Sequence, residues 1–136
     1  MGILVDSGVF IRWEREGRGF DFSKWTLIGE PFISVVTVSE LKVGVHRANT
    51  PERRTNRSRF VATVLSCVTV LDIDSAVADI HARIVADLTT KGTTIGPHDF
   101  WIAATTLKYD YDLLTTNTRE FQRVPNLRVI DYPNSS

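Results

Sequence analysis

Four short stretches of the chain each set an acidic residue against apolar neighbours: ILVDS at 3–7, VVTVSELK at 35–42, GPHDFW at 96–101 and TTNTREF at 115–121. Asp6 closes an apolar run, Glu40 follows one by a turn, Asp99 precedes Phe100 and Trp101, and Glu120 precedes Phe121, with Asn117 close by. Carboxylates brought to one place repel one another unless a cation neutralises them. Carboxylate and amide oxygens suit Mg²⁺ or Mn²⁺, whereas zinc draws on more His or Cys. Each acid taken singly also has a structural explanation. Asp6 can cap a helix, Glu40 can close a capping box with Thr37, Asp99 can answer a helix dipole, and Glu120 can be a surface residue. The joint pattern is what argues for a site.

The elements that would gather these acids can be read from periodicity. GILVD (2–6), PFISVV (31–36), VTVLDI (68–73), DLLTT (112–116) and LRVIDY (127–132) read as short strands, the first, second and fourth apolar on both faces as in a covered parallel sheet. Helices are expected at 7–16, at 37–48 with Thr37 or Ser39 as cap, and at 50–67 with Thr50 as cap and Pro51 in first position. Two more are expected at 74–91 and 97–109, and DFSKW (21–25) suits a single helical turn. Strands alternate with helices, which argues an α/β domain over 1–136 with a mostly parallel sheet of about five short strands between helical layers. Such sheets bind ligands beyond the carboxyl ends of their strands, where all four acids would then lie.

Composition narrows the classes. Lys+Arg and Asp+Glu stand at 16 each, so no global basic field marks a nucleic-acid binder. Cys67 is the only cysteine, which excludes an intrachain disulfide or Cys-based zinc cluster; among apolar neighbours it is expected to be a core thiol, consistent with a reducing cytoplasm. No signal peptide, lipidation motif or membrane span is expected. A P-loop is absent, which disfavours NTP hydrolysis. Local charge is another matter: residues 41–60 carry Lys42, Arg47, Arg53, Arg54, Arg57 and Arg59 against the single acid Glu52. This strip is a solvated helix face or a phosphate-contacting surface, with Arg53, Arg54 and Arg57 as candidate contacts to a nucleic-acid backbone.

As a set, ILVDSGVFI (3–11), ISVVTVSELKVGV (33–45), IGPHDFWIAATTL (95–107) and LLTTNTREFQRVPNLRVID (113–131) resemble the PIN-domain ribonucleases, most closely the VapC toxins of toxin–antitoxin pairs. The resemblance covers nearly the whole chain and implies an α/β/α sandwich with Asp6, Glu40 and Asp99 as catalytic, metal-binding acids. Two departures stand out. The family commonly has Thr-Ser after its first acid, where this chain has Ser7 and Gly8. The fourth acid is the least secure: some members carry Asp where Thr118 stands, and VapC relatives often have Asp where Glu120 precedes Phe121. Ser7, Thr115 and Asn117 are expected to support the site, and the hydroxyls of Thr115 or Thr116 to orient a metal-bound water.

Under this resemblance the reaction is hydrolysis of an RNA phosphodiester, tRNA or rRNA, with Mg²⁺ (or Mn²⁺) lowering the pKa of water and relieving phosphate charge. It also implies a VapB-like antitoxin, a homodimer, a cytoplasmic location and no membrane. A partner's Arg or Lys could fill the acidic cluster while apolar surface around Phe10, Trp13, Val43 and Val45 is covered. Trp13 could otherwise stack on a base. His81 is expected to be structural; His98 caps its helix or touches substrate. The competing readings are a housekeeping or inactive PIN module and, more remotely, a phospho-acceptor domain using Asp72 and Asp74.

Overall fold

In the computed structural model, which describes residues 1–17 and 29–132, five parallel strands form one sheet. They are β1 (Gly2–Val5), β2 (Glu30–Ser34), β3 (Thr69–Leu71), β4 (Asp112–Thr115) and β5 (Val129–Asp131), in the order β3-β2-β1-β4-β5. The helices are α1 (Ser7–Glu16), α2 (Val35–His46), α3 (Pro51–Cys67), α4 (Ser75–Thr90), α5 (Pro97–Tyr109) and the short α6 (Thr118–Phe121). The chain builds outward from β1 to β3, then returns to the other side of β1 to add β4. The topological switch point therefore lies between β1 and β4, where open α/β sheets hold their ligands.

Alternation along the central strands creates the layers. Ile3 and Val5 face one core, with Val9, Phe10 and Trp13 of α1 and Val61 and Val64 of α3. Leu4 and Leu113 face the other, with Leu88 of α4 and the Phe100, Ile102 and Ala103 face of α5. This is the expected α/β/α sandwich: a β1 buried on both sides must be apolar at every position.

Several boundaries fall elsewhere than the sequence suggests. The second strand stops at Ser34, whose Oγ accepts from the Val36 amide at 3.0 Å, so Val35 and Val36 open α2. Ser34, rather than Thr37 or Ser39, is the cap; a buried capping serine outcompetes the β preference of two valines. Thr50 and Pro51 begin α3 as expected. The third and fifth strands are shorter than read, three residues each. Cys67 is exposed, not core: the inward face of α3 runs through Val61, Val64 and Leu65 to Val68, and the last-turn thiol falls outside it. Phe10 and Trp13 are buried in the core, so neither forms part of a docking surface or base platform, whereas Val43 is exposed. The expected turn at 21–25 lies outside the described residues. Among those residues, no helix is long and apolar enough to cross a membrane.

Candidate active site

Asp6 sits at the switch point. Its amide continues the ladder by donating to the Leu114 carbonyl at 2.9 Å, and its extended backbone hands the chain to α1. The carboxylate is buried. One oxygen accepts from the Ser7 amide and the other from the Thr115 hydroxyl, both at 2.8 Å. Asp6 is thus a helix cap, as its neighbours allow, and it is also held across two strands. Thr115 Oγ1 in turn accepts from the Asn117 amide at 2.9 Å, while Asn117 Nδ2 donates to Glu120 Oε2 at 2.7 Å. One short segment after β4 therefore orients two acids.

Asp99 stands in the first turn of α5, which starts at Gly96 and Pro97 without a side-chain cap. Gly96 leaves room for it: a Cβ there would come within 3.2 Å of Asp99 Oδ2. The apolar face of α5 fixes the helix, so the carboxylate is delivered by packing. Glu40 reaches the cluster from α2. Its Oε2 lies 3.5 Å from His98 Nδ1, and its Oε1 is buried with no hydrogen-bond partner among the described residues. His98 therefore faces Glu40 and does not cap α5.

The electrostatics confirm that these acids feel one another. Burial, then the charges of Asp6, Glu120 and Glu40, and a hydrogen bond with Glu120, push Asp99 up to about 7. Burial and the charge of Glu40 raise Asp6 to about 6 against the hydrogen bonds from Thr115 and Ser7. The structure thus brings together Asp6, Ser7, Glu40, Asp99, Thr115, Asn117 and Glu120, the fourth acid included. Among the described residues, no three His, Cys, Asp or Glu side chains already close around a point as a ligand set. The fit to a divalent ion rests instead on an all-oxygen donor set, two carboxylates held against ionisation, and the unpartnered Glu40 Oε1.

The arginines separate. Arg57 pairs with Glu14 at 3.3 Å and donates to the Gly44 carbonyl at 3.1 Å. It lines a groove of about 230 Å³ that also contains Arg15 and Glu40, so it borders the acids. Arg53 and Arg54 stand nearer the start of α3, bonded to Asn49 and to the Ala48 carbonyl, and do not line that groove. Arg15, which follows Asp6 by about two turns in the sequence, is placed in this groove by the packing of α1 against α2. Thr37, which the sequence offered only as a helix cap or capping-box partner, is fully buried one turn before Glu40, and its hydroxyl has no hydrogen-bond partner among the described residues. His81 is structural, stacked on Trp101 at 3.7 Å and held below its ordinary pKa by burial. Asp74 caps α4 and pairs with Lys108, which leaves it no acceptor role.

A parallel sandwich with acids gathered at its switch point is the arrangement that the resemblance to PIN domains implied, and known proteins match it. The model of the PIN domain matches residues 3–127. The chain belongs to the PIN-domain family, in its VapC branch. It is 34% identical to a ribonuclease VapC of Rickettsia bellii, with 98% of each chain covered. It is 36% identical to the tRNA(fMet)-specific endonuclease VapC of Shigella flexneri over 76% of each chain. Its fold matches the DNA-bound VapBC of Salmonella typhimurium at a TM-score of 0.84 and 29% identity, covering 98% of this chain and 99% of that one.

Proposed function

We propose that the protein is a Mg²⁺-dependent endoribonuclease toxin, restrained by a VapB-like antitoxin, acting as a homodimer in the cytoplasm on a structured RNA such as tRNA. The observation that carries this reading is the cluster of Asp6, Glu40, Asp99 and Glu120, with both aspartates held above the usual carboxylate range. The similarity to VapC ribonucleases, one of them specific for a tRNA, supports the substrate class. Likeness to a VapBC complex supports the partner.

Asp6, Glu40 and Asp99 would hold the ion, with Glu120 beside them; when bound, it supplies a water of lowered pKa and relieves charge on the phosphate. Ser7 and Thr115 fix the Asp6 oxygens by hydrogen bonds, so the ligand arrives preorganised. Asn117 does the same for Glu120. A carboxylate of this set accepts the proton that the attacking water loses. Arg57 and Arg15, in the groove that runs from Glu40, position the flanking phosphates. The partner's inhibition follows from the same field: a cationic side chain entering the cluster would neutralise it and exclude the substrate together.

The test is direct. Purified protein should cleave RNA with Mg²⁺ or Mn²⁺, lose that activity in EDTA, and arrest bacterial growth unless the product of the neighbouring gene is co-expressed. Full activity after chelation contradicts the mechanism. Nuclease activity without toxicity or a bound neighbour favours a housekeeping PIN nuclease.

A further inference from the structure

Thr115, Thr116 and Asn117 follow one another at the carboxyl end of β4, and the outer two are committed. Thr115 donates to Asp6 and Asn117 to Glu120. The hydroxyl of half-buried Thr116 is engaged by no hydrogen bond among the described residues. It lies instead over Gly8, in the first turn of α1. A Cβ at Gly8 would stand 2.5 Å from Thr116 Oγ1, yet 3.7 and 3.9 Å from its Cβ and Cγ2, which are ordinary contacts.

Gly8 is therefore a glycine for an unusual reason. Its φ is not positive, so its backbone is open to any residue. Within a helix, glycine is about 1 kcal/mol less favourable than alanine. What the glycine provides is the seat of one hydroxyl, placed between the two residues that orient Asp6 and Glu120.

We infer that Thr116 contacts the substrate: its hydroxyl donates to a non-bridging oxygen of the RNA phosphodiester held at the acidic edge, and Gly8 keeps it in place. This deepens the nuclease reading and rests on it. A phosphate approaching four carboxylates needs neutral or positive donors close by. The hydroxyls of Ser7 and Thr115 are already spent on Asp6. The Thr37 hydroxyl is fully buried, so among the described residues Thr116 is the unspent hydroxyl of this edge that a substrate can reach. The chain thus carries just after β4 a donor that α1, with Gly8 after Ser7, does not offer.

The experiment is a double-mutant cycle on the purified full-length protein, with RNA and Mg²⁺, reading kcat, KM, Tm and Mn²⁺ affinity. Thr116→Ala should lower kcat/KM about tenfold or more, the scale of a hydrogen bond to a charged group. Gly8→Ala should do the same by displacing the hydroxyl, with Tm equal or slightly raised. The double variant should be no worse than Thr116→Ala, because no hydroxyl is left to displace. Thr116→Ser should restore most of the rate, and Mn²⁺ affinity should be unchanged throughout. Parental kinetics in Thr116→Ala, or losses that multiply in the double variant, overturn the inference while leaving the nuclease reading intact. A parent protein inert on RNA overturns both.

Discussion

The two ends of α5 handle negative charge in opposite ways. At its carboxyl end, acids are matched by cations: Lys108 pairs with Asp74, and Arg128 reaches Asp110 at 2.8 Å and Asp112 at 2.6 Å. Those contacts pull Asp74 below its ordinary pKa and hold Lys108 and Arg128 above theirs. At its amino end, Asp99 meets Asp6, Glu40 and Glu120, and among the described residues the only basic side chain within ion-pair distance of any of them is His98, beside Glu40. There the pKa values of Asp6 and Asp99 rise. One end is finished within the fold; the other is balanced only by something from outside. Acid clusters at strand ends are informative about function when their counter-charge is missing.

The comparison is broken most forcefully by removing the unmatched acids. Asp6→Asn, Glu40→Gln and Asp99→Asn should each reduce RNA cleavage by about a hundredfold or more. Asp99→Asn should also raise the Tm of the metal-free protein by a few degrees, because it relieves repulsion. Variants that stay active, or that melt well below the parent, would return these acids to a structural role.

A smaller effect is expected from the substrate groove. Arg57→Ala should weaken RNA binding several-fold and flatten its salt dependence by about one phosphate contact. The Arg53→Ala, Arg54→Ala pair, outside the groove, should do less. Equal losses would mean that the whole strip on α3 meets RNA.

The smallest effects concern stability. Burial and neighbouring acids raise the two aspartates from an ordinary 3.8 to about 6 and about 7 in the folded state. The folded state therefore binds more protons than the unfolded one between about pH 4 and 7, and metal-free stability should fall as pH rises through that window. A melting series that rises instead would mean the acids are compensated internally. At the matched end, Arg128→Met should change the Tm little and leave cleavage unchanged, because exposed ion pairs contribute little to stability.

Much of this was legible in the sequence because its signals were local. Continuous apolar runs marked the central strands, Thr50 with Pro51 marked the start of α3, and an acid at each strand end marked the functional edge. What escaped depended on contacts distant in sequence. Ser34 capping α2 was hidden inside an apparent strand. The burial of Trp13 and the exposure of Cys67 depend on which helix face meets the sheet. Neither the separation of Arg57 from Arg53 and Arg54 nor the seat of Thr116 over Gly8 leaves a trace in spacing, since each is set by packing between elements.

Calorimetric titration of Mn²⁺ into the metal-free protein tests the central claim, that the unmatched acids await a divalent cation. At pH 7 the account predicts saturable binding with net proton release, since Asp99 is part-protonated there and must ionise to bind. It predicts weaker binding at pH 5.5 and a loss of binding in Asp99→Asn, with Arg128→Met unaffected. No binding by the parent, or binding that Asp99→Asn leaves intact, would contradict it.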